Sequence, residues 1–379
     1  MPVEGKTAGG PLSSLRVVEF SGLGPAPLAG QLLADLGAEV VVIDRKPGAA
    51  DATDINRRGK KSIALDLKTD AGREVALRLI GASDILIEGF RPGVMERLGL
   101  GPDACPDNLI YGRMTGWGQS GSLAQTAGHD LNYLAMTGAL NAMGPADRPP
   151  APPLNLVADF GGGTMMLLFG LLAAVIERGV SGKGQVVDAA MVDGVPALMG
   201  LIHGFLAQGQ WDSARGSNWL DGASHFYRCY GCADGRFISV GALEPQFFAE
   251  LAKRLALSED VAQGQLDTGT WAEKSEALAA IFKTQPRAHW EALFAQSDAC
   301  VAPVLTFEEA FTHPAHAKRG VFYQAGEVWQ ASPAPRFGRS TPPRPDPPVG
   351  PGASAQKVLT DLGLSAEEIT ALEKSGAVL

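Results

Sequence analysis

Cysteine is scarce in this chain: Cys105, Cys229, Cys232 and Cys300 are the only four among 379 residues. So few over such a length make no disulfide framework, which sets aside the small stapled secreted domains. Cys229-Tyr230-Gly231-Cys232 is a lone CxxC. A zinc site asks for a second pair or for histidines at matching spacing, and His225 alone does not supply them. A redox role asks for the motif at the head of a helix, whereas this one lies in a strand-like segment. The expectation for Cys229 and Cys232 is structural. Basic charge is also short, with 32 Lys and Arg against 41 Asp and Glu and a net charge of −9. That balance argues against a broad nucleic-acid or membrane-surface interface and leaves room only for local basic patches. The longest apolar run, Met165 to Ile176, falls short of the roughly 20 residues that a bilayer-spanning helix needs, and reads as a buried helix. No basic-then-apolar signal opens the sequence, residues 1–10 read as polar and loose, and the expectation is a soluble, cytoplasmic protein. Signature motifs are missing too: no Gly-x-Ser-x-Gly elbow for a serine hydrolase and no His-Glu-x-x-His for a metalloprotease. His313-Pro314-Ala315-His316 has no carboxylate at a credible interval and reads as loop. No metal site is expected.

What is present describes an ordinary globular chain, 45% hydrophobic and 19% charged, long enough for two or three domains. Leu15–Phe20, Glu39–Asp44, Ser62–Leu67, Asp84–Glu88 and Leu109–Met114 are short apolar, β-branched runs that read as strands. Between them Leu28–Leu36, with Gly37 as its cap, and Asp70–Ile80 carry helical spacing. Strand and helix in alternation predict an α/β domain, a mostly parallel Rossmann-like sheet with helices on its faces. Further helices are expected over Leu131–Leu140, Thr164–Arg178 and Val195–Gln208. Composition changes after Gly209. Tyr227–Gly241 reads as a hairpin turning at Ala233-Asp234-Gly235, followed by helices over Gln246–Leu255, Ala272–Phe282 and Arg287–Gln296. The expected division is a large domain over 1–209, a linker over 210–225, a small α+β domain over 226–325, and a return over 326–379. That return begins with a Pro-rich connector, Ser332–Gly352, and ends in a helix that Ser365 and Glu368 open as a capping box.

Three clusters are candidates for chemistry. Gly22-Leu23-Gly24-Pro25-Ala26-Pro27, between the first strand and its helix, with Asp44 some 20 residues on, imitates the dinucleotide fingerprint. The third glycine position holds Pro27, so the turn is read without a dinucleotide. Arg45, Lys46, Arg57, Arg58, Lys60, Lys61 and Arg91 form a local basic excess that suits a polyphosphate ligand. With Asp51 and Asp54 among them, they suit a solvated mixed-charge face equally well. Last come Gly128-His129-Asp130-Leu131-Asn132-Tyr133 and, beyond the Pro-rich Arg148–Pro153, Asn155 to Thr164. Asp159 precedes three glycines and Thr164, the expected N-cap of an apolar helix, whose dipole and free amides would favour an anion or an enolate oxygen. His129 and Asp159 on opposite sides of one carbon could pass a proton between its faces.

These stretches resemble the family III CoA-transferase superfamily, in its α-methylacyl-CoA racemase branch. The resemblance is carried by Asp35-Leu36-Gly37-Ala38-Glu39-Val40, Leu65-Asp66-Leu67-Lys68, Arg91 to Leu98, Arg113-Met114-Thr115-Gly116-Trp117-Gly118-Gln119, Gly128 to Tyr133, Asn155 to Gly163, Gly182 to Ala189, Val240 to Phe247 and Ser297 to Cys300. It implies an interlocked homodimer with the active site between one subunit's large domain and the other's small domain. It also implies an acyl-CoA substrate, which gives the basic cluster its ligand, with Arg45, Leu65, Asp66, Leu67, Lys68, Arg91, Gly128, Asp130, Leu131, Asn132 and Tyr133 around the CoA. His129 and Asp159 fall on the acid/base positions. Glu244 falls on the carboxylate that orients the imidazole, from the partner chain. Asn155 and amides near Asp130 would hold the enolate. The implied reaction is inversion at C2 of 2-methylacyl-CoA thioesters by 1,1-proton transfer, with no cofactor beyond the CoA of the substrate. The alternative within the fold is CoA transfer with Asp159 as nucleophile, which needs no second proton carrier at His129. A dehydrogenase rests only on the imperfect glycine turn, and a non-catalytic acyl-CoA binder leaves the three acid/base residues without a purpose. Methionines such as Met114, Met136, Met143, Met165, Met166 and Met191 could line an adaptable acyl surface or fill the core.

Overall fold

The computed structural model describes residues 9–379; the expectation of a loose start falls on residues 1–8, outside the described residues, and on Gly9 and Gly10. Gly9 forms an isolated bridge with Thr341. Six strands form one parallel sheet: β1 (Arg16–Phe20), β2 (Glu39–Asp44), β3 (Lys61–Ala64), β4 (Ile85–Glu88), β5 (Ile110–Thr115) and β6 (Val186–Ala190). Their spatial order is β3-β2-β1-β4-β5-β6. Parallel strands are covered on both faces, so they run apolar without alternation; Val17, Val18, Ile85, Leu86 and Ile87 are all buried. The direction of winding reverses between β1 and β4, and the crevice outside the carboxyl ends of those strands is where such sheets bind ligands.

Helix α1 (Pro25–Asp35) follows β1, and α2 (Asp70–Gly81) follows β3 with the Thr69 hydroxyl accepting the Gly72 N–H at its start. Helix α3 (Asp130–Met136) is shorter than the run expected from Leu131, giving way to a 3-10 turn at Ala139–Ala142. The largest departure concerns the apolar helix. Thr164 is not its N-cap: the backbone there is already helical (φ −53°, ψ −49°), and the hydroxyl donates to the Pro25 carbonyl at 2.8 Å. A π-helical stretch, Leu156–Thr164, runs straight into α4 (Met165–Ser181). Gly161-Gly162-Gly163 does not break it because α5 (Met191–Leu198) packs backbone to backbone there: a Cβ on Gly194 would lie 1.8 Å from the Gly162 carbonyl oxygen. The continuous helix, Leu156–Ser181, spans 26 residues and is long and apolar enough to cross a bilayer by length and composition. One face of it packs in the core, with Leu167, Leu168, Leu171 and Ala174 buried, while Met165, Phe169, Ile176 and Val180 are exposed.

The C-terminal return adds to the same core. The Pro-rich stretch is extended, helices Ala355–Asp361 and Ala366–Lys374 follow, and the Ser365–Glu368 capping box is formed. Val358, Leu359, Leu364, Ile369 and Val378 join Val75, Leu79 and Ile80 of α2. Elements not read from sequence include β6, the hairpin Phe322–Ala325 with Val328–Ala331, Val301–Val304, and the helices Val94–Arg97, Phe307–Thr312, Ala355–Asp361 and Pro314–Arg319, the last replacing the loop expected at His313–His316. All are short.

The chain divides into two compact units: one takes in the chain up to Thr137, Leu154–Leu198 and Ala315–Leu379, the other Gly138–Pro153 and Met199–Pro314. In the second, β7 (Tyr227–Gly231), β8 (Phe237–Gly241) and β9 (Val301–Val304) form an antiparallel sheet, turning at Gly235 (φ 76°) as expected. Helices α6 (Pro245–Arg254), α7 (Trp271–Phe282) and α8 (Arg287–Phe294) bring Phe248, Trp271, Phe282 and Trp290 onto it. Cys229 is exposed, Cys232 is buried, and both are free.

Candidate active site

The loops that leave β4 and β5 at the carboxyl edge of the sheet enclose a cleft of about 280 Å³, with Gly89, Phe90, Arg91, Thr115, Trp117, Gly128, His129 and Tyr133 on its walls. Its floor is aromatic. The Tyr133 hydroxyl donates to the Gly128 carbonyl, and the Trp117 ring meets Tyr133 edge-on at 4.8 Å. The Trp117 indole N–H is buried without an acceptor among the described residues. At the rim, the Arg45 guanidinium lies over the Phe90 ring at 5.4 Å. A cation held on an aromatic face keeps its N–H groups free for an anion. The loop itself is fixed from below, because the Glu88 carboxylate accepts the Phe90 N–H at 2.7 Å. Burial pushes the Glu88 carboxyl up to about 7.

His129 and Asp159 come from two adjacent helix starts. His129 is the exposed residue before α3, and its N–H donates to the Asn132 side chain at 3.1 Å, fixing the backbone there. Asp159 is in the first turn of the π-helical stretch, half-buried, with its Oδ2 3.5 Å from the Asn155 amide. The same oxygen lies 3.6 Å from where a side chain on Gly24 would begin, at the N-terminus of α1. Helix dipole and burial therefore act on one carboxyl in opposite directions. The dipole is worth about 0.3–1 kcal/mol at such a position, and Pro25 and Pro27 remove two of the amides that would deliver it. Desolvation wins, aided by the nearby Asp130 charge, so the Asp159 carboxyl holds its proton above the usual carboxylate range even though Asn155 and a protonated His129 pull the other way.

The amides expected to serve an enolate at this helix start are not free. The buried Asp130 carboxylate takes the Ala158 N–H at 2.9 Å and the Asp159 N–H at 2.7 Å. Nor is the glycine turn vacant for a pyrophosphate, since the Asp159 carboxylate already lies against the start of α1.

A family model, described as CoA-transferase family III, matches residues 12–352. The chain belongs to CoA-transferase family III. Over 97% of its length, and of the relative's, it is 44% identical to the alpha-methylacyl-CoA racemase of Mus musculus. To the human protein of that name it is 43% identical, over 94% of this chain and 95% of the relative. Among solved structures, a CAIB/BAIF family protein from Brucella suis superposes with a TM-score of 0.78 at 25% identity, covering 93% of this chain and 100% of that one.

Most of the basic cluster in this family III chain is committed to its own carboxylates, which corrects the expectation that it forms a phosphate site. Arg57 makes two contacts to Asp44, at 3.2 and 2.7 Å. Arg58 grips Asp35 at 2.9 and 2.5 Å and donates to Gln330 and the Ala331 carbonyl. Lys60 is buried against Glu19 at 2.6 Å and the Pro27 carbonyl at 2.8 Å. Lys61 is shared between Glu39 and Asp361. Arg45, Lys46 and Arg91 are exposed and make none of these ion pairs. Of the other residues matched to the family, Leu65 is 1% exposed and faces the core, so only its backbone could meet a ligand. The Asp66 carboxylate is turned to the Lys68 N–H at 3.0 Å, while Leu67 packs on the core. Leu131, Asn132 and Asn155 are exposed. Glu244, in the second unit, is the exposed N-cap residue of α6. Met114 and Met191 are core residues, whereas Met136 and Met165 are exposed. Phe90, Trp117 and the Asp130 carboxylate were not singled out as working parts; nothing in their local spacing distinguishes them.

Proposed function

We propose that this protein is a racemase that inverts C2 of 2-methylacyl-CoA thioesters by moving one proton off and another on, through an enolate. The observation that carries the proposal is the pairing of an imidazole with a carboxyl whose hold on its proton is raised, on adjacent helix starts beside an aromatic-floored cleft rimmed by Arg45 and Arg91. The likeness to proteins named alpha-methylacyl-CoA racemase supports it. Arg45 and Arg91 hold the phosphates of the CoA.

A thioester acidifies the C2 proton but leaves it far weaker as an acid than either side chain, so the enolate oxygen needs fixed donors, each worth about 2.7–4 kcal/mol in comparable sites. In this reading Asn155 and the Asp130 N–H, which as the first residue of α3 has no intrahelical acceptor, supply them. One of His129 and Asp159 removes the proton while the other, in its acid form, supplies one from the opposite face. Each contributes on the order of 10²–10⁴-fold. A carboxyl whose hold on its proton is strengthened by burial and by the Asp130 charge is a better base than an ordinary aspartate and takes up a proton more readily for the return step. The roles exchange with the substrate's handedness. All the proton chemistry is supplied by these side chains, and the CoA belongs to the substrate.

The working form in this proposal is a homodimer in which Glu244 of a second copy orients His129. Exposed apolar residues near the acid/base pair, Leu131, Met136 and Leu156, and an exposed stripe on α4, Met165, Phe169, Ile176 and Val180, support a covered surface. The test uses one enantiomer of a 2-methylacyl-CoA in deuterated water, with no acceptor acid. Deuterium gain at C2 with loss of optical purity is the expected result. Absence of exchange until a carboxylic acid is added would instead establish CoA transfer with Asp159 as nucleophile.

A further inference from the structure

We infer that the side chain of Asp130 is a positioning residue for the proton transfer, tying the two acid/base residues into one frame and fixing the charge beside Asp159. The inference rests on the racemase reading and goes beyond it. Asp130 is the chain neighbour of His129 and the first residue of α3, so its backbone moves with the imidazole. Its side chain is 7% exposed. One oxygen, Oδ2, accepts both the Ala158 and Asp159 N–H groups at 2.9 and 2.7 Å. A single buried carboxylate thus joins the start of α3 to the start of the π-helical stretch, across a separation of 28 and 29 residues. Its other oxygen, Oδ1, is buried with no hydrogen-bond partner among the described residues. An ionised buried carboxylate normally fills both oxygens. The negative charge of Asp130 therefore stays beside the Asp159 carboxyl and raises its hold on its proton.

The groups facing Asp159 are few. From α3 come Asp130, His129 and Tyr133; Asn155 lies one turn before it; and Arg91 acts on the same tyrosine. The first turn of α1 brings no acidic residue, and α5 carries Asp193. Asp130 is the only anion among them joined to the Asp159 backbone. Its buried side chain spends Oδ2 on the Ala158 and Asp159 amides, so the carboxylate acts through Asp159 and His129, apart from the backbone N–H assigned to the enolate.

Two variants of the full-length protein separate the two duties. Asp130→Ala removes the tie and the charge; kcat should fall on the order of 10²-fold, as for a slight misplacement of reacting groups, with KM within about threefold. Asp130→Asn keeps an acceptor for both amides and removes only the charge. It should recover most of kcat, and with the enantiomer on which Asp159 is the base the acid limb of its kcat/KM profile should move to lower pH, because Asp159 loses the anion that helps it keep its proton. Far-UV circular dichroism and CoA affinity serve as folding controls. An acid limb of Asp130→Asn that coincides with the parent's for both enantiomers, or an Asp130→Ala variant with parental kcat, overturns the inference. A misfolded Asp130→Ala leaves the decision to the Asn variant. If the parent itself exchanges no C2 proton, the racemase reading fails and not this geometry.

Discussion

Replacing Lys60 by Met separates an internal ion pair from a ligand site at the cluster where sequence spacing left both open. The ammonium sits 2.6 Å from Glu19 and 2.8 Å from the Pro27 carbonyl, with the lysine and glutamate side chains 1% and 2% exposed. Met nearly matches the aliphatic stem but leaves the Glu19 carboxylate buried and unpaired. Breaking one half of such a pair costs about 3–5 kcal/mol. Burial already pushes the Glu19 carboxyl upward even with Lys60 present, so without the lysine it holds its proton more tightly still. The sign follows: the variant's deficit should shrink as pH falls, because a protonated Glu19 carries no buried charge. Urea unfolding followed by circular dichroism at pH 8 and pH 5.5 measures this. The double variant Glu19→Gln with Lys60→Met should be less destabilised than Lys60→Met alone. Calorimetric CoA affinity of the folded variant should stay within about threefold of the parent. A variant of parental stability that binds CoA more than about tenfold weaker, a loss of about 1.4 kcal/mol, would refute the pairing and restore Lys60 to the phosphates.

Gly30→Ala should cost about 1–3 kcal/mol by crowding, since its Cβ would lie 1.7 Å from Glu19 Oε2; a parental urea midpoint would contradict that packing. Arg45→Ala and Arg91→Ala should each weaken CoA binding by roughly 10–100-fold, the worth of a charge-assisted hydrogen bond, with less salt dependence than the parent. Parental affinity in both would remove them from the site. Glu88 holds its proton up to about 7 in the folded protein against about 4.3 in an unfolded chain. Its linkage therefore favours folding fully below about pH 4.3 and is lost as pH rises through 7. Glu88→Gln, which keeps an acceptor for the Phe90 N–H, should remove that decline between pH 5 and 8, and a variant curve parallel to the parent's would contradict it.

The large sheet was legible because β2 and β4 carry unbroken apolar runs (Val40 to Ile43 and Ile85 to Ile87) and β1 is apolar but for Arg16 and Glu19, and burial on both faces is what parallel strands require. β6 was not: it begins exposed, carries Asp188 at its centre and has no such run. Thr164 misled because three glycines before a Thr look like a helix start, while the partner that makes those glycines useful, α5, begins 27 residues further on. The basic cluster misled for the same reason at longer range. Asp44, Asp35 and Glu19 lie 13, 23 and 41 residues from the cations they neutralise, so no local count of charge exposes them. His129 and Asp159 were visible as residues. The carboxylate that joins their helices was hidden in plain sequence as the neighbour of the histidine.

Two opposed proton carriers make a demand that isotopes can read directly. One enantiomer of a 2-methylacyl-CoA is turned over in deuterated water to a few per cent conversion, and the inverted product and recovered substrate are separated before mass analysis. The account predicts deuterium at C2 in nearly all of the product and little in the recovered substrate, because the departing proton and the arriving deuteron use different side chains. Product that keeps the original protium would contradict it.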